Sequence, residues 1–313
     1  MSFTKDCASF GNFTRFAVEA NDTNDPKVFS DASERYGILA ESFGRFQPFQ
    51  GRRRITGRPA LSANAIRPHS FSIRGAVSMQ PGPADMSKWM PRALWGGNDF
   101  SLGTECPDFD VMIDREAVVL QYPCAIVTKQ VFESATESGN EPTNEELIIM
   151  TNYMYAVDEI EATWPDPEPS LDLSADNTPY IHAEGSMTFD AKTMLFRTWR
   201  LTIDNLVVPL YWNSLGPSCF RSMGRRITLE TVNPFTTDNW ESSRKALDEG
   251  VPGSIKFENG NLSTEFSFPS LRNHYRTPTT RGRGEIPLML KLEAFETDTS
   301  AEMVVTHDDD AST

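Results

Sequence analysis

Apolar and polar residues alternate with a period of two along several stretches of the chain, the pattern of β-strands with one buried face. In the clearest stretch, 194–204, Trp199, Leu201 and Ile203 fall on one face and Arg200 falls on the other. The same alternation predicts further strands at 71–79, 108–113, 118–122, 146–162, 225–232, 255–257, 262–268 and 286–295. The sequence therefore predicts a mainly β protein.

Short helices are expected beside these strands. Asp85 is placed to cap a helix that ends at the glycine pair 96–97, and Thr236 is placed to begin one that ends before Gly250. A third capping pattern predicts a helix over about 31–43. Each of the first two helices directly follows a predicted strand, so helix and strand are expected to pack as one unit.

The first 30 residues are polar and carry phenylalanines that are mostly three positions apart, at Phe3, Phe10, Phe13 and Phe16. This spacing fits either an arm that packs its rings on a neighbouring molecule or a short helix of the core. We assign residues 1–44 to an N-terminal arm and helix.

A short apolar run separates the strand 194–204 from the strand 225–232. It carries Leu206, Val207, Val208, Leu210, Tyr211 and Trp212 and is followed by the loop 213–217. The run fits either a core strand or an exposed arm that contacts another copy of the chain. An arm on a β scaffold, with no nucleophile or phosphate loop in it, indicates assembly.

The two halves of the chain match each other at an offset of 153. Pro81 meets Pro234, Ala93 meets Ala246, and Leu94 meets Leu247. We interpret the match as an internal duplication that gives two tandem β-sandwich or half-barrel units, each flanked by one short helix. The predicted domains are the N-terminal segment 1–44, a first unit at 45–165, a Pro-rich acidic linker at 166–185, a second unit at 186–300, and an acidic tail at 301–313.

Charge is abundant and segregated. The chain has 44 acidic and 29 basic residues and a net charge of −15, which argues against a general nucleic-acid binder. Arginine is the only charged residue type between Glu41 and Asp85, whereas 130–191 contains 14 acids and no Lys or Arg. Guanidinium groups bind carboxylates bidentately, so arginine loops are expected to dock on acidic loops of another copy. The candidate arginines are Arg52, Arg53, Arg54, Arg58, Arg276, Arg281 and Arg283.

The sequence does not predict an enzyme or a cofactor. Its four histidines lie singly and far apart, and the acid pair Asp166/Glu168 stands between prolines. A calcium-like spacing begins at Asp172, but Asn177 stands where glycine is required and Ala183 where glutamate is required. An acidic turn is the alternative interpretation. No apolar run is long enough to span a membrane, and we expect synthesis in the cytoplasm because the start lacks a signal peptide.

The strand that ends at 203–205, the loop through Ser214 and Pro217, and the strand 224–228 before a capped helix resemble one family. It is the major tail tube protein of long non-contractile-tailed (siphovirus-type) bacteriophages. The resemblance covers about 185–297, and 45–162 by way of the duplication. It implies stacked rings of a β-sandwich protein in the virion tail, forming an acidic-lined conduit for double-stranded DNA during ejection.

The resemblance also implies partners. These are further copies of the chain, a tape measure protein, a tail terminator and a distal tail protein, with transient passage of double-stranded DNA and no membrane. Because one chain carries two units, a trimeric ring with pseudo-sixfold symmetry is favoured over a hexamer. The candidate lumen acids are Asp158, Glu159, Glu161, Glu293 and Glu296. The alternative is another virion β-sandwich protein: a capsid decoration, baseplate or carbohydrate-binding module.

Overall fold

The structure is a computed structural model. It describes residues 14–20, 34–46, 50–52, 66–68, 70–95, 102–103, 109–134, 147–166, 168–169, 171, 177–260, 262–274 and 286–308. The described residues form 21 strands and two α-helices, which confirms the mainly β prediction.

The elements of the first half of the chain are β1 (Arg15–Ala20), β2 (Glu34–Tyr36), β3 (Ala40–Glu41), β4 (Gly44–Phe46), β5 (Gln50–Arg52), β6 (Ile66–Pro68), β7 (Ser72–Met79), α1 (Pro83–Leu94), β8 (Phe109–Asp114), β9 (Val119–Ser134), β10 (Ile148–Ala156) and β11 (Ile160–Glu161).

The elements of the second half are β12 (Gly185–Phe189), β13 (Lys192–Met194), β14 (Thr198–Asp204), β15 (Val207–Leu210), β16 (Cys219–Ser222), β17 (Arg226–Pro234), α2 (Thr237–Asp248), β18 (Val251–Asn259), β19 (Leu262–Asn273), β20 (Pro287–Ala294) and β21 (Val304–Asp308). A 3-10 turn, His182–Glu184, precedes β12.

Seventeen strands join into one antiparallel hydrogen-bonded network, and β5–β6 and β15–β16 form separate hairpins. One row of the network runs β4–β7–β10–β9–β14–β17–β20–β19, with β3 beside β4 on β7. The remaining strands form a second set, β2–β1–β8–β9–β11 and β13–β12–β18–β19–β21. The long strands β9 and β19 therefore take part in both.

The strand pairings of the first half recur in the second half in the same order. The chain β1–β8–β9–β10–β7 corresponds to β12–β18–β19–β20–β17, and the hairpin β5–β6 corresponds to β15–β16. α1 follows β7 as α2 follows β17. The two halves meet where β9 pairs with β14, from Glu133 opposite Arg200 to Lys129 opposite Asp204. We call this pairing the seam.

Burial follows the alternation in the sequence. Trp199, Leu201 and Ile203 of β14 are buried, and the Trp199 ring lies 4.8 Å from that of Phe257 in the second set. One continuous apolar core extends through both halves. The helix that follows β17 begins as predicted, because the Thr236 hydroxyl accepts a hydrogen bond from the Asn239 N–H at 3.2 Å.

The prediction of a helix over 31–43 is wrong. The described part of that segment forms the strands β2 and β3, and Tyr36 is buried with its ring 5.3 Å from that of Trp89. Burial of this ring in the core outweighs a local capping pattern, because propensity is a weak force beside tertiary packing. Phe16 belongs neither to an arm nor to a helix, since it is buried in β1; Phe3, Phe10 and Phe13 lie outside the described residues.

Parts of the predicted acidic linker pack on the body of the protein. Arg15 and Arg35 both form ion pairs with Glu168, and Tyr180 is buried with its hydroxyl 3.1 Å from that of Thr264. The predicted strand 146–162 is also divided, because β10 ends at Ala156 and only two residues of β11 follow. Tyr180, within the segment assigned to the linker, therefore belongs to the apolar core.

Candidate assembly surfaces

The apolar run after β14 forms the hairpin β15–β16. The chain enters it through Leu206, which has a left-handed backbone (φ 44°) and donates its N–H to the Asp204 carboxylate at 3.0 Å. It leaves through Gly224, at φ 124°. Because side chains disfavour positive φ, the turn at Leu206 is held by the Asp204 bond rather than by backbone preference.

The hairpin exposes apolar side chains. Trp212 is 69% exposed and Met223 is 64% exposed, and the predicted contact residues Leu206, Val208 and Tyr211 are each more than a third exposed. Val207 and Leu210 are half-buried. The run is therefore not a core strand, and its apolar side chains are available for contact with another molecule.

The hairpin also reaches the first half of the chain. The Leu215 carbonyl accepts a hydrogen bond from the Phe71 N–H at 2.8 Å, and the Phe220 ring stacks on Tyr155 at 5.9 Å. Gly216 lies against the Phe71 ring, where an added Cβ would approach to 2.6 Å. The base of the hairpin belongs to the second half of the chain and its tip rests on the first.

The seam is reinforced by two side chains of the second half, the buried Asn205 and the half-buried Arg225. Asn205 donates its amide to the carbonyls of Ala93 (2.8 Å) and Val127 (3.1 Å). Arg225 bonds the Asn205 amide oxygen at 2.8 Å and the carbonyls of Leu94 (2.8 Å) and Gly103 (2.9 Å).

Burial lowers the pKa of Arg225, and the charge of Glu302 opposes that shift. The carbonyls at the end of α1 need donors, and a cation there also suits the helix dipole. Arg225 and Asn205 together thus fix α1 of the first half onto the second half.

Charged side chains form two rows on the solvent side of β9, β14, β17 and β20. The first row is Glu133, Arg200, Glu230 and Lys291, which stand opposite one another on consecutive strands. The second row is Lys129, Asp204, Arg226 and Glu293. We call these eight residues the paired-charge face. Sign alternates along both rows.

Ion pairs link these residues across the strands. Arg200 lies 3.4 Å from Glu133, and Lys291 lies 2.7 Å from Glu230. Arg226 lies 3.1 Å from one carboxylate oxygen of Glu293, and His274 Nε2 lies 2.8 Å from the other. The alternation in the sequence placed Arg200 on the face opposite Trp199, but the pairing across four strands required knowledge of the sheet order.

The predicted lumen acids do not lie together. Glu293 belongs to the paired-charge face, whereas Glu161 lies in β11, paired to the other part of β9. Asp158 and Glu159 lie in the turn before β11, and Glu296 lies exposed beyond β20.

Of the predicted contact arginines, Arg52 lies in β5, its side chain outside the described residues. The others lie wholly outside the described residues: Arg53, Arg54, Arg58, Arg276, Arg281 and Arg283.

Within the part of the chain that the structure describes, no group of three or more His, Cys, Asp or Glu residues is arranged to hold a metal ion. The acidic turn that begins at Asp172 lies outside that part. None of the described helices is long and apolar enough to cross a membrane. The chain matches no protein-family model, and comparison with curated proteins finds no match.

Proposed function

We propose that this chain is a structural subunit that assembles edge to edge into rings, and that the rings stack into the tail tube of a siphovirus-type phage. The proposal rests on one observation: the same pattern of strand pairing occurs in both halves of the chain, and the halves are joined by the pairing of β9 with β14. Two tandem units would account for that pattern, and the pairing of β9 with β14 would be the way in which one unit extends the sheet of the next. Repetition of the seam between copies would continue the row from β19 of one chain to β4 of another.

A closed ring is the arrangement that leaves no edge of this row unpaired, and unpaired edges invite uncontrolled aggregation. Each copy supplies eight strand positions, so three copies supply 24. With untilted strands about 4.8 Å apart, a 24-stranded ring has a backbone radius of about 18 Å, and strand tilt widens it. This ring leaves room for a DNA duplex after side chains are added, whereas a ring of six copies would have about twice that radius, far more than a duplex needs. We therefore favour a trimer with pseudo-sixfold symmetry.

Stacking of rings is assigned to the hairpin β15–β16. Its exposed Trp212 and Met223 offer apolar area that ion pairs at an open surface would not match in energy. Arginine loops docking on acidic loops would then orient the rings rather than hold them. In this function the chain acts in the virion tail after assembly in the host cytoplasm. Its partners are other copies, a tape measure protein, a tail terminator and a distal tail protein, and it performs no catalysis.

Electron microscopy of the purified chain, alone and with a tail tip present, tests this function. We expect stacked rings whose end views show three copies. A chain that stays monomeric under both conditions contradicts the proposal and favours another virion β-sandwich protein. Rings that contain six copies of this chain would contradict the trimer but not the proposed tube function.

A matched pair of variants tests the role of the hairpin. Trp212→Ala removes the most exposed large apolar side chain of the hairpin, and Leu195→Ala removes an even more exposed leucine (76%) outside it. We expect Trp212→Ala to give separate rings and Leu195→Ala to give tubes, with sedimentation velocity as the measurement. Equal tube formation by both variants would remove the hairpin from the stacking contact.

A further inference from the structure

The paired-charge face differs in charge from the rest of the molecule. The whole chain carries a net charge of −15, but the eight residues of this face are four acids and four bases. We propose that this face is a charge-balanced inner wall along which duplex DNA slides without adhering. The inference rests on the proposed tube function and replaces the acidic wall that the resemblance implies.

The inward direction follows from the layers of the fold. The opposite side of β14, β17 and β20 is buried beneath the second set of strands and both helices. In a closed ring the outer layer has the larger circumference, so the side that carries extra layers faces outward. The open side of these strands, which carries the exposed charges, faces the lumen.

Non-adhesion follows from the ion pairs. Proteins bind DNA when free lysine and arginine side chains displace the counterions of the phosphates. Here the cations of Arg200, Arg226 and Lys291 each have a carboxylate within 3.4 Å. A phosphate would have to displace that carboxylate and gain little in exchange. Because Glu133, Glu230 and Glu293 are each paired with one of these cations, the wall also opposes entry of DNA less than an acidic wall would.

The corresponding face of the first half is uncharged or shielded. β7 and β10 present Ser78, Thr151 and Tyr153 there, and the hydroxyls of Ser78 and Thr151 lie 2.9 Å apart. The Arg74 guanidinium lies 5.2 Å from the Phe46 ring, and the Lys129 amine lies 5.6 Å from the Tyr153 ring. Cations over rings are partly satisfied, so the positive charges of Arg74 and Lys129 are partly shielded on this face.

The first test frees the cations. Glu133→Gln with Glu230→Gln leaves Arg200 and Lys291 without carboxylate partners on the face. The control, Glu258→Gln with Glu265→Gln, makes the same charge change beside Lys256 on β18 and β19. Binding of a short fluorescent DNA duplex is measured by polarisation between about 50 and 200 mM salt. We expect roughly tenfold tighter binding at low salt for the first variant than for the control, with a steeper salt dependence.

A second variant separates freed charge from altered structure. Glu230→Gln with Lys291→Gln removes both members of one pair and keeps the face balanced. We expect its DNA affinity to equal that of the unmodified protein. Tight binding by this variant, by the unmodified protein, or equally by the control would overturn the inference.

Nuclease protection on assembled tubes then locates the face. DNA bound by the Glu133→Gln/Glu230→Gln tubes should be protected, whereas DNA bound by control tubes should be digested. Digestion in both cases would place the face outside and overturn the inference while the tube function stands. Failure of the unmodified chain to form tubes would instead contradict the proposed function, and the polarisation result would still report the charge balance of the face.

Discussion

The two helices occupy equivalent places in the repeated pattern and have very different surroundings. In α1 the buried residues include Met86, Trp89, Met90 and Leu94, whereas those of α2 are Asn239, Ser242, Ser243 and Ala246. The sharpest contrast is between aligned leucines: Leu94 is fully buried and Leu247 is 39% exposed. The seam covers the last turn of α1, and α2 lies at the far end of the row.

This difference shows what the second half does for the first. Equivalent positions share the backbone pattern, but only the helix next to the seam is covered by another unit. The α1 end gains apolar burial and two hydrogen-bond donors, Asn205 and Arg225. In the proposed ring, the α2 end would gain its cover from the next copy. The Trp89 ring packs on Phe16, Tyr36 and Phe109 within the first half, so the contrast that assembly would remove is the one at the last turn, between Leu94 and Leu247.

The largest effect is expected from truncation of the aligned leucines. Leu94→Ala leaves a cavity in the core beneath the seam and should lower the free energy of unfolding by about 2–5 kcal/mol. Leu247→Ala removes a side chain that is already partly in water, so we expect a loss of less than about 1 kcal/mol for the unassembled chain. Urea denaturation of both variants measures the difference. Equal losses would show that the seam does not account for the contrast.

A smaller effect is expected from the donors at the α1 end. Arg225→Ala removes the donor to the Gly103 carbonyl and to the Asn205 amide oxygen, whereas the Leu94 carbonyl keeps the Gly103 N–H, and we expect a cost of about 2–3 kcal/mol. Its neighbour Arg226 is exposed and pairs with Glu293 across the sheet, so Arg226→Ala should cost less than about 1 kcal/mol. Urea midpoints of the two adjacent substitutions test the junction directly. A similar cost for both would mean that Arg225 does not hold the halves together.

Sequence reasoning recovered what depends on local pattern. The buried side of β14 and the capped start of α2 follow from alternation and from the Thr236 hydroxyl, and both are present. It failed where contacts between residues far apart in the sequence determine the structure. The segment around Tyr36 is a strand because the ring packs on Trp89, and the rows of the paired-charge face depend on strand order. Neither contact is visible within a short window of sequence.

A moderate, pH-dependent effect is expected where Arg92, in the last turn of α1, pairs with Glu34 of β2. Burial favours a raised pKa for Glu34, but the Arg92 cation and the hydrogen bonds from Tyr36 and Arg92 outweigh it, so the pKa lies below its ordinary value of 4.5. A depressed pKa contributes stability above pH 4.5 that is lost as the pH falls through the folded-state pKa. Glu34→Gln should therefore flatten the acid side of the stability profile, measured by urea denaturation between about pH 3 and pH 6. An unchanged slope would show that the cluster of Glu34 and Arg92 does not stabilise α1.

The smallest effect on folding and a large effect on assembly are expected from Leu247→Glu. The substitution places a charge on a partly exposed position of α2, where surface changes alter the free energy of unfolding by about 0.5 kcal/mol or less. If the next copy covers this helix as the seam covers α1, the charge would be buried without a partner, and ring closure should fail. Leu195→Glu is the control, since it adds the same charge at a more exposed leucine outside the helix. Analytical ultracentrifugation should show open or dissociated species for Leu247→Glu and rings for Leu195→Glu. Normal rings from both variants would mean that the free end of α2 stays in solvent, and that the contrast between the helices reflects the seam alone.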